Sequence, residues 1–215
     1  MGRGELEEKL EIGLKELNIK LDKEKINQLI EYIFILKKWN KVYNLTGIRD
    51  IEQMMTHHLM DSLSIIPWVK DCKKILDVGS GGGLPGLVIA VSCPQVMVEM
   101  IDVVSKKTSF IRQAVIELGL KNTKVHTGRV ENLQLDYRFD GIVSRAFSSI
   151  KDFIALSSHL LAENGSFYAM KGLIPESEVS NLDTRWKVKD TIALSVPYLA
   201  AQRHLIIIQR NKVIL

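Results

Sequence analysis

The sequence predicts an α/β fold, in which a doubly wound, mainly parallel sheet has the Rossmann-like arrangement. The first observation is a short apolar run at residues 75–78, which breaks into glycines and resumes as an apolar helix at 87–91. Strand, glycine turn and helix in this order begin a doubly wound domain. The strand and helix patterns then keep alternating, and the chain finishes with two strands that have no helix between them. Together these observations predict a sheet that is parallel except at its last strand.

The composition is that of an ordinary globular protein. The chain has 215 residues, of which 46% are hydrophobic and 25% charged, enough for one α/β domain with an appendage. A formal charge of +4 permits a nucleic-acid partner without requiring one. Cys72 and Cys93 lack the spacing of a zinc site, so we expect two reduced thiols and no metal. The charged start and the lack of an apolar run of roughly 18 residues predict a cytoplasmic protein without a membrane segment.

Three helices are predicted before residue 70. Leucines recur at helical spacing between residues 6 and 17. Asp22 is placed to cap a second helix at about 23–41, and Asp50 a third, which ends near residue 66 because Pro67 follows. No flexible linker separates these helices from the glycine region. We therefore expect residues 1–70 to form a helical cap that packs on a domain at 71–215.

Two polar features mark this cap. A polar-aromatic loop is predicted at residues 39–46, between the second and third helices. His57 and Asp61 are spaced i,i+4 on the third helix, beside His58, so we expect His57 and Asp61 to hydrogen-bond. A metal site would need a further ligand, and no metal motif is present. The interpretation is a histidine oriented by an aspartate where the cap meets the domain.

The glycine loop indicates a ligand at the carboxyl end of the first strand. Glycines permit a tight turn and let a ligand approach backbone N–H groups. The spacing from Asp77 is D-x-G-x-G-x-G, whereas dinucleotide-binding proteins have G-x-G-x-x-G. Asp102 ends the next strand, at 96–101, where its carboxylate can accept hydrogen bonds from both hydroxyls of a ribose.

The remaining elements follow the same pattern. Strands are predicted at 123–127, 139–143 and 166–170, and helices at 106–118, 150–161 and 175–182. Asn164 and Gly165 are interpreted as a helix stop. The last two strands, at 186–194 and 204–209, follow each other directly and should be antiparallel. A dehydrogenase sheet would instead continue with strand–helix units.

Several motifs stand in order along the chain. They are YNLT at 43–46, HxxDSL at 58–63, DVGSGGGLPG at 77–86, SRAF at 144–147, MKG at 170–172 and RHL at 203–205. Together they resemble the RsmG (GidB) family, the bacterial 16S rRNA guanine-N7 methyltransferases, from about residue 21 to the C-terminus. The chain departs from the family pattern at Leu84, Val130 and residues 201–202.

The resemblance implies a fold and a cofactor. The fold would be that of a class I S-adenosylmethionine-dependent methyltransferase, with a mixed seven-stranded sheet, an antiparallel last strand and an N-terminal helical extension. The cofactor would be S-adenosylmethionine, the product S-adenosylhomocysteine, and no metal would be needed. The residues expected to contact the cofactor are Gly79, Gly81, Leu84, Asp102, Val130, Glu131 and Arg145. Of these, Asp102 would hold the ribose, Val130 and Glu131 would frame the adenine, and Arg145 would reach the methionine end or the substrate.

The implied reaction is methyl transfer to N7 of a guanine in an unpaired loop of 16S rRNA, which gives 7-methylguanosine in the decoding-site region. N7 carries a free lone pair, so a direct displacement needs no general base. An unpaired guanine is expected because the deep major groove of an RNA helix hides this atom. The partner would be 16S rRNA or a small-subunit assembly particle, and we expect a monomer.

Basic residues at strand carboxyl ends are expected to hold the RNA. The residues expected in the catalytic region are Arg145, Lys171 and Arg203. Lys106, Lys107 and Arg129 fall near the same edge of the sheet. Tyr43 or Phe147 could stack on the guanine, although Phe147 could equally belong to the core.

Three alternative functions differ from this one in what they require. A nicotinamide oxidoreductase requires the dinucleotide spacing and a continuing parallel sheet, and both fail here. A non-enzymatic RNA-binding or cell-division factor could retain the fold, but the intact glycine loop with Asp102 argues against a decayed site. A methyltransferase for a small molecule or a protein is disfavoured by the basic strand ends.

Overall fold

The computed structural model describes residues 2–145, 147 and 149–211, so Ala146 of the SRAF motif lies outside the described residues. Seven strands form one sheet in the order β3-β2-β1-β4-β5-β7-β6. Their bounds are β1 Lys74–Val78, β2 Met97–Asp102, β3 Thr123–Thr127, β4 Phe139–Ser144, β5 Leu161–Lys171, β6 Trp186–Ala193 and β7 His204–Arg210. Strands β1 to β5 are parallel, and β7 lies between β5 and β6, antiparallel to both. The predicted mixed seven-stranded sheet with an antiparallel last strand is confirmed.

The helices alternate with the first strands as expected. They are α1 Arg3–Glu16, α2 Lys23–Tyr43, α3 Ile51–Met54, α4 Asp61–Leu63, α5 Ile66–Val69, α6 Gly86–Ser92, α7 Ser105–Glu117, α8 Ile150–Ser157 and α9 Glu176–Ser180. A π-helical turn, Met55–Met60, joins α3 to α4 without a break. The Asp22 and Asp50 carboxylates cap α2 and α3, as predicted, by accepting N–H bonds from Lys25 and Gln53.

Three predicted boundaries are wrong. Pro67 stands in the first turn of α5, Ile66–Val69, instead of only ending the preceding helix, because a proline in the first turn has no hydrogen bond to lose. The predicted loop at 39–46 is helical as far as Tyr43, where Asn44 adopts a left-handed conformation, φ 49°, and ends α2. Asn164 and Gly165 lie inside β5, which starts at Leu161. A Cβ on Gly165 would stand 3.0 Å from the Asp140 carbonyl oxygen, so this glycine allows close strand contact.

The helices before residue 70 and the sheet share one apolar cluster. Leu6, Leu29 and Leu63 from the cap belong to the same buried cluster as Ile75 of β1 and Leu87 of α6. Tyr32 is a buried residue of α2. Its hydroxyl donates a hydrogen bond of 2.7 Å to the Gly82 carbonyl in the glycine loop. The cap is thus in direct contact with the segment that shapes the site.

The opposite face of the sheet packs against α8. Phe153 of α8 contacts Phe167 of β5 edge to face, with ring centroids 5.0 Å apart, and Phe167 contacts Trp186 of β6 at 5.3 Å. Cys72 and Cys93 are free thiols. Within the part of the chain that the structure describes, no helix has both the length and the apolar character needed to cross a bilayer.

Candidate active site

The glycine loop turns sharply after β1. Gly79, Gly81 and Gly83 have φ values of 73°, 56° and 82°, which L residues with side chains rarely adopt. The Gly79 and Ser80 N–H groups both donate to the Ile101 carbonyl, at 2.9 and 3.2 Å, and fasten the loop to β2. The turn therefore needs glycine for its backbone geometry as well as for access to its N–H groups.

Asp102 ends β2 directly opposite this loop. Its side chain is buried, and its two oxygens accept N–H bonds of 2.9 Å from Gly81 and Val104. A carboxylate has about four acceptor positions, so these two bonds leave capacity for a ligand with hydroxyl groups. The loop and the carboxylate thus hold each other in place at the carboxyl ends of β1 and β2.

A first cavity of about 330 Å³ opens at this edge of the sheet. Most of its wall is apolar, and the Asp102 carboxylate is one of the polar groups in it. The lining residues are Val78, Gly79, Ile101, Asp102, Val103, Val104, Lys107, Gly128, Arg129, Val130, Glu131, Phe147 and Leu156. Apolar walls with few polar groups are typical of small-molecule sites. An exposed ion pair between Arg129 and Glu131, at 3.6 Å, borders it.

The structure brings together four of the predicted cofactor residues, because Gly79, Asp102, Val130 and Glu131 all line the first cavity. Gly81 contributes its N–H to Asp102 instead of lining the cavity, and Leu84 is buried in the apolar cluster. Arg145 lies in a different cavity, described below. The predicted cofactor contacts of all seven residues stay predictions.

Asp77 is a second buried carboxyl group behind the glycine loop. Its Oδ2 accepts an N–H bond of 2.9 Å from Gly86. Among the described residues its Oδ1 has no hydrogen-bond partner. Burial raises the pKa of Asp77 to about 7, although the bond from Gly86 acts in the opposite direction. This residue opens the D-x-G-x-G-x-G motif, but the sequence alone did not predict its protonation behaviour.

A second cavity of about 400 Å³ brings together the three predicted catalytic residues, Arg145, Lys171 and Arg203. They come from the ends of β4 and β5 and from the residue before β7, so the sheet topology explains their meeting. The cap supplies the polar residues His57, His58 and Asp61 and the apolar Ile48 to the wall. A cluster of three basic residues in one concave site is suited to an anionic ligand.

Asp61 organises these basic residues. Its side chain is 3% exposed, and its Oδ2 accepts a hydrogen bond of 3.1 Å from Arg145 while Oδ1 accepts one of 3.1 Å from Arg203. The predicted bond between His57 and Asp61 is therefore wrong, because both carboxylate oxygens face arginines. His57 instead bonds the Gln53 carbonyl through Nδ1, at 3.2 Å. The HxxDSL motif was the signal that could have drawn attention to Asp61.

His58 links the HxxDSL motif to the YNLT segment. Its Nε2 lies 2.8 Å from the Thr46 hydroxyl. Burial, with the Arg145 charge acting in the same direction, lowers the pKa of His58 to about 4, so the ring is neutral near pH 7. His57 and His58 lie on the π-helical turn, a local irregularity that is frequent at functional sites.

The two cavities adjoin at Lys171 and Phe147. The Lys171 ammonium group, which lines the second cavity, donates a hydrogen bond of 2.8 Å to the Phe147 carbonyl, and Phe147 lines the first cavity. Phe147 also stacks on Phe153, with centroids 5.2 Å apart, and so has core contacts. Tyr43 is 41% exposed and stacks on Trp39 at 5.1 Å. Of the two aromatic candidates for stacking on a base, Tyr43 has the more accessible ring.

No group of three or more side chains suited to a metal ion occurs among the residues that the structure describes. The polar groups at both cavities are backbone N–H groups, carboxylates and cations, and the second cavity also has His57 and His58. Neither cavity offers the histidine and cysteine sets of a zinc site.

Sequence comparisons match nearly the whole chain. The model of a family described as GidB, rRNA small subunit methyltransferase G, matches residues 25–206. A ribosomal RNA small subunit methyltransferase G from Burkholderia ambifaria is 48% identical over 212 residues, covering 96% of this chain and 93% of that protein. The protein of the same name from Janthinobacterium sp. (strain Marseille) is 46% identical, covering 93% and 92%.

Solved structures show the same fold at low identity. The O-methyltransferase TomG from Streptomyces achromogenes, in complex with SAM, superposes with a TM-score of 0.62 over 94% of this chain and 96% of that one, at 12% identity. TrmN from Thermus thermophilus superposes with a TM-score of 0.58 at 15% identity, over 73% of this chain and 53% of the TrmN chain. The fold is therefore that of a class I S-adenosylmethionine-dependent methyltransferase.

Proposed function

This chain belongs to the rRNA small subunit methyltransferase G (GidB) family, and on that premise we propose that it methylates N7 of a guanine in an unpaired loop of 16S rRNA. The observation that carries the proposal is a pair of adjacent cavities: one contains a glycine loop with a buried carboxylate, and the other contains three basic residues. The first suits a nucleoside-type methyl donor, and the second suits the backbone of an RNA.

The first cavity has the donors and acceptors that S-adenosylmethionine requires. The Asp102 carboxylate keeps acceptor capacity for the ribose hydroxyls. Val103 and Val130 give the apolar walls that a purine ring needs. Gly128 has φ 145° and open space where a Cβ would stand, so a ligand can approach its backbone. When bound, S-adenosylmethionine supplies an electrophilic methyl group on a sulfonium.

The chain's own residues then have to orient the guanine and hold its RNA. N7 already carries a lone pair, so no general base is required, and alignment supplies most of the rate acceleration, on the order of 7–11 kcal/mol. Methyl transfer moves a positive charge onto the base. A cation beside the base would oppose that change, so we assign Arg145, Lys171 and Arg203 to RNA phosphates. Asp61 positions both guanidinium groups for that role.

The proposal extends to the division of the chain into a cap and a domain, and to its partner, oligomeric state and location. Residues 1–70 act as a cap that completes the substrate side, and residues 71–215 act as the S-adenosylmethionine-binding domain. The shared apolar cluster and the Asp61 contacts to both arginines support a fixed cap. The partner is 16S rRNA or a small-subunit assembly particle, the protein acts as a monomer, and a ribosomal substrate implies a cytoplasmic location.

The test combines calorimetry with methyl transfer. We expect S-adenosylmethionine to bind with micromolar affinity and NAD not to bind. Radiolabelled methyl should then pass from S-adenosylmethionine to small-subunit RNA, and the Gly79→Asp variant should transfer none. Binding of NAD alone would overturn the cofactor assignment. Binding of S-adenosylmethionine without transfer to RNA would favour a methyltransferase for another substrate, and RNA binding without cofactor binding would favour a non-enzymatic factor.

A further inference from the structure

A third concave site lies on the cap, outside both cavities. It has a volume of about 280 Å³ and is lined by Lys37, Asn40, Lys41 and Arg49. Lys41 and Arg49 are exposed, and Lys37 is half-buried. We call it the cap recess. No carboxylate lines it, and among the described residues none of its three cations forms an ion pair.

The fold gathers these charges from two segments. Lys37 and Lys41 are spaced i,i+4 on α2, so they share one face of the helix. The left-handed Asn44 reverses the chain, and buried Asn40 fixes the returning loop by donating to the Ile48 carbonyl and accepting from the Thr46 N–H, both at 2.9 Å. These two hydrogen bonds place Arg49 beside Lys37 and Lys41. Like charges at this spacing repel, so their clustering does not stabilise the cap itself.

One loop borders both the cap recess and the second cavity. Ile48 lines the second cavity, and Arg49, the next residue of the same loop, lines the recess. The loop is held from the other side by the bond between Thr46 and His58, which also lines the second cavity. A strand bound by Arg145, Lys171 and Arg203 would therefore reach the recess by crossing this loop.

We infer that the cap recess binds the phosphate backbone of the substrate RNA, away from the target guanine. The inference rests on the proposed function and extends its substrate contacts into the cap. Unpaired, clustered cations without a carboxylate match a polyanion, and phosphate contacts fix the position of a nucleic acid without reading its sequence. The recess would thereby anchor the strand while the second cavity holds the nucleotides around the guanine.

The test measures binding of small-subunit RNA directly, over a range of salt concentrations. Lys37→Gln and Lys41→Gln together remove two charges from the recess and keep polar, unbranched side chains. The matched control is Lys187→Gln with Lys189→Gln, two exposed lysines on β6 near the end where Trp186 pairs with Arg210, away from the His204 end that faces the site. Thermal unfolding checks that all variants are folded.

We expect the recess variant to bind RNA about 10-fold more weakly than wild type, with the slope of log affinity against log salt reduced by roughly 1.4 to 1.8. The control should change neither value. Adding Arg49→Gln should weaken binding further, while S-adenosylmethionine affinity stays at the wild-type value in every variant.

Equal RNA affinity and equal salt slope in the recess and control variants would overturn the inference. A wild-type protein that binds small-subunit RNA but transfers no methyl would refute the proposed function alone, since the salt slopes still decide whether the recess contacts RNA. A wild-type protein that binds no small-subunit RNA would overturn both.

Discussion

The Asp61 carboxylate accepts a hydrogen bond from Arg145 Nη1 at 3.1 Å, across 84 positions of sequence. Its second oxygen accepts from Arg203, which is 142 positions away. One buried carboxylate of the cap thus fixes two basic residues, one that follows β4 and one that precedes β7. The geometry of the second cavity depends on the cap as much as on the methyltransferase domain.

Asp61→Asn should destabilise the fold and weaken RNA methylation. An asparagine offers one acceptor oxygen, so one half-buried guanidinium loses its partner and faces an amide donor. We expect the free energy of unfolding to fall by about 1–3 kcal/mol, measured by urea denaturation. The matched control is Asp183→Asn, because the Asp183 carboxylate pairs with exposed Arg185 and should contribute nothing measurable. Equal effects in both variants would contradict the organising role of Asp61.

Arg203→Ala should raise the KM for RNA by about 10-fold or more, because a charge-assisted contact to phosphate is lost. The affinity for S-adenosylmethionine should change by less than about twofold, since Arg203 does not line the first cavity. Arg185→Ala is the control, at the opposite end of β6 and also paired with an aspartate. A loss confined to cofactor binding would mean that Arg203 was assigned to the wrong ligand.

Gly79→Asp should abolish binding of S-adenosylmethionine. Gly79 lines the first cavity with φ 73°, so a side chain there strains the loop and sets a second negative charge near Asp102. Gly4→Asp makes the same substitution in the first turn of α1, where there is open space and an acidic residue is favourable. Calorimetry measures the binding of S-adenosylmethionine to both variants. Wild-type affinity in Gly79→Asp would refute the assignment of the first cavity to this cofactor.

Asp77→Asn should change how stability depends on pH. The pKa of Asp77 is about 7 in the folded protein, against 3.8 as the ordinary value. Between these values the folded state holds the proton more tightly than the unfolded state, so the contribution of Asp77 to stability falls as pH rises through this window. Asparagine cannot ionise. Relative to wild type, the variant should therefore gain stability from pH 5 to pH 8, by at most roughly 1.4 kcal/mol per pH unit inside the window.

Urea denaturation of both proteins at the two pH values measures this difference. Taking the difference in stability between the two proteins cancels the contributions of groups that titrate equally in both, including His58. A variant whose stability relative to wild type is the same at pH 5 and pH 8 would show that Asp77 is ionised throughout.

The parts of the fold that local patterns determine were predictable. The apolar run before Gly79, the glycine spacing from Asp77 and the adjacent strands at the C-terminus each depend on residues close in sequence. The same patterns placed Arg145, Lys171 and Arg203 at strand ends, and the parallel β4 and β5 with the antiparallel β7 brought those ends together.

The partners of individual side chains were not predictable in this way. The i,i+4 spacing favoured a bond between His57 and Asp61, but tertiary contacts with two distant arginines determine where Asp61 points. Gly165 looked like a helix stop because its close approach to Asp140 of β4 is visible only when the strands are paired. The cap recess escaped notice because Arg49 meets Lys37 and Lys41 only through the loop that Asn40 holds.

Mass mapping of the methylated RNA tests the central claim most directly. The purified protein would be incubated with S-adenosylmethionine and with small ribosomal subunits, or the free 16S rRNA, from bacterial cells that lack this modification. The proposed function predicts one new 7-methylguanosine in an unpaired loop of 16S rRNA, and none with Gly79→Asp. A methyl group on another atom or another RNA, or no methyl transfer by a protein that binds S-adenosylmethionine, would contradict it.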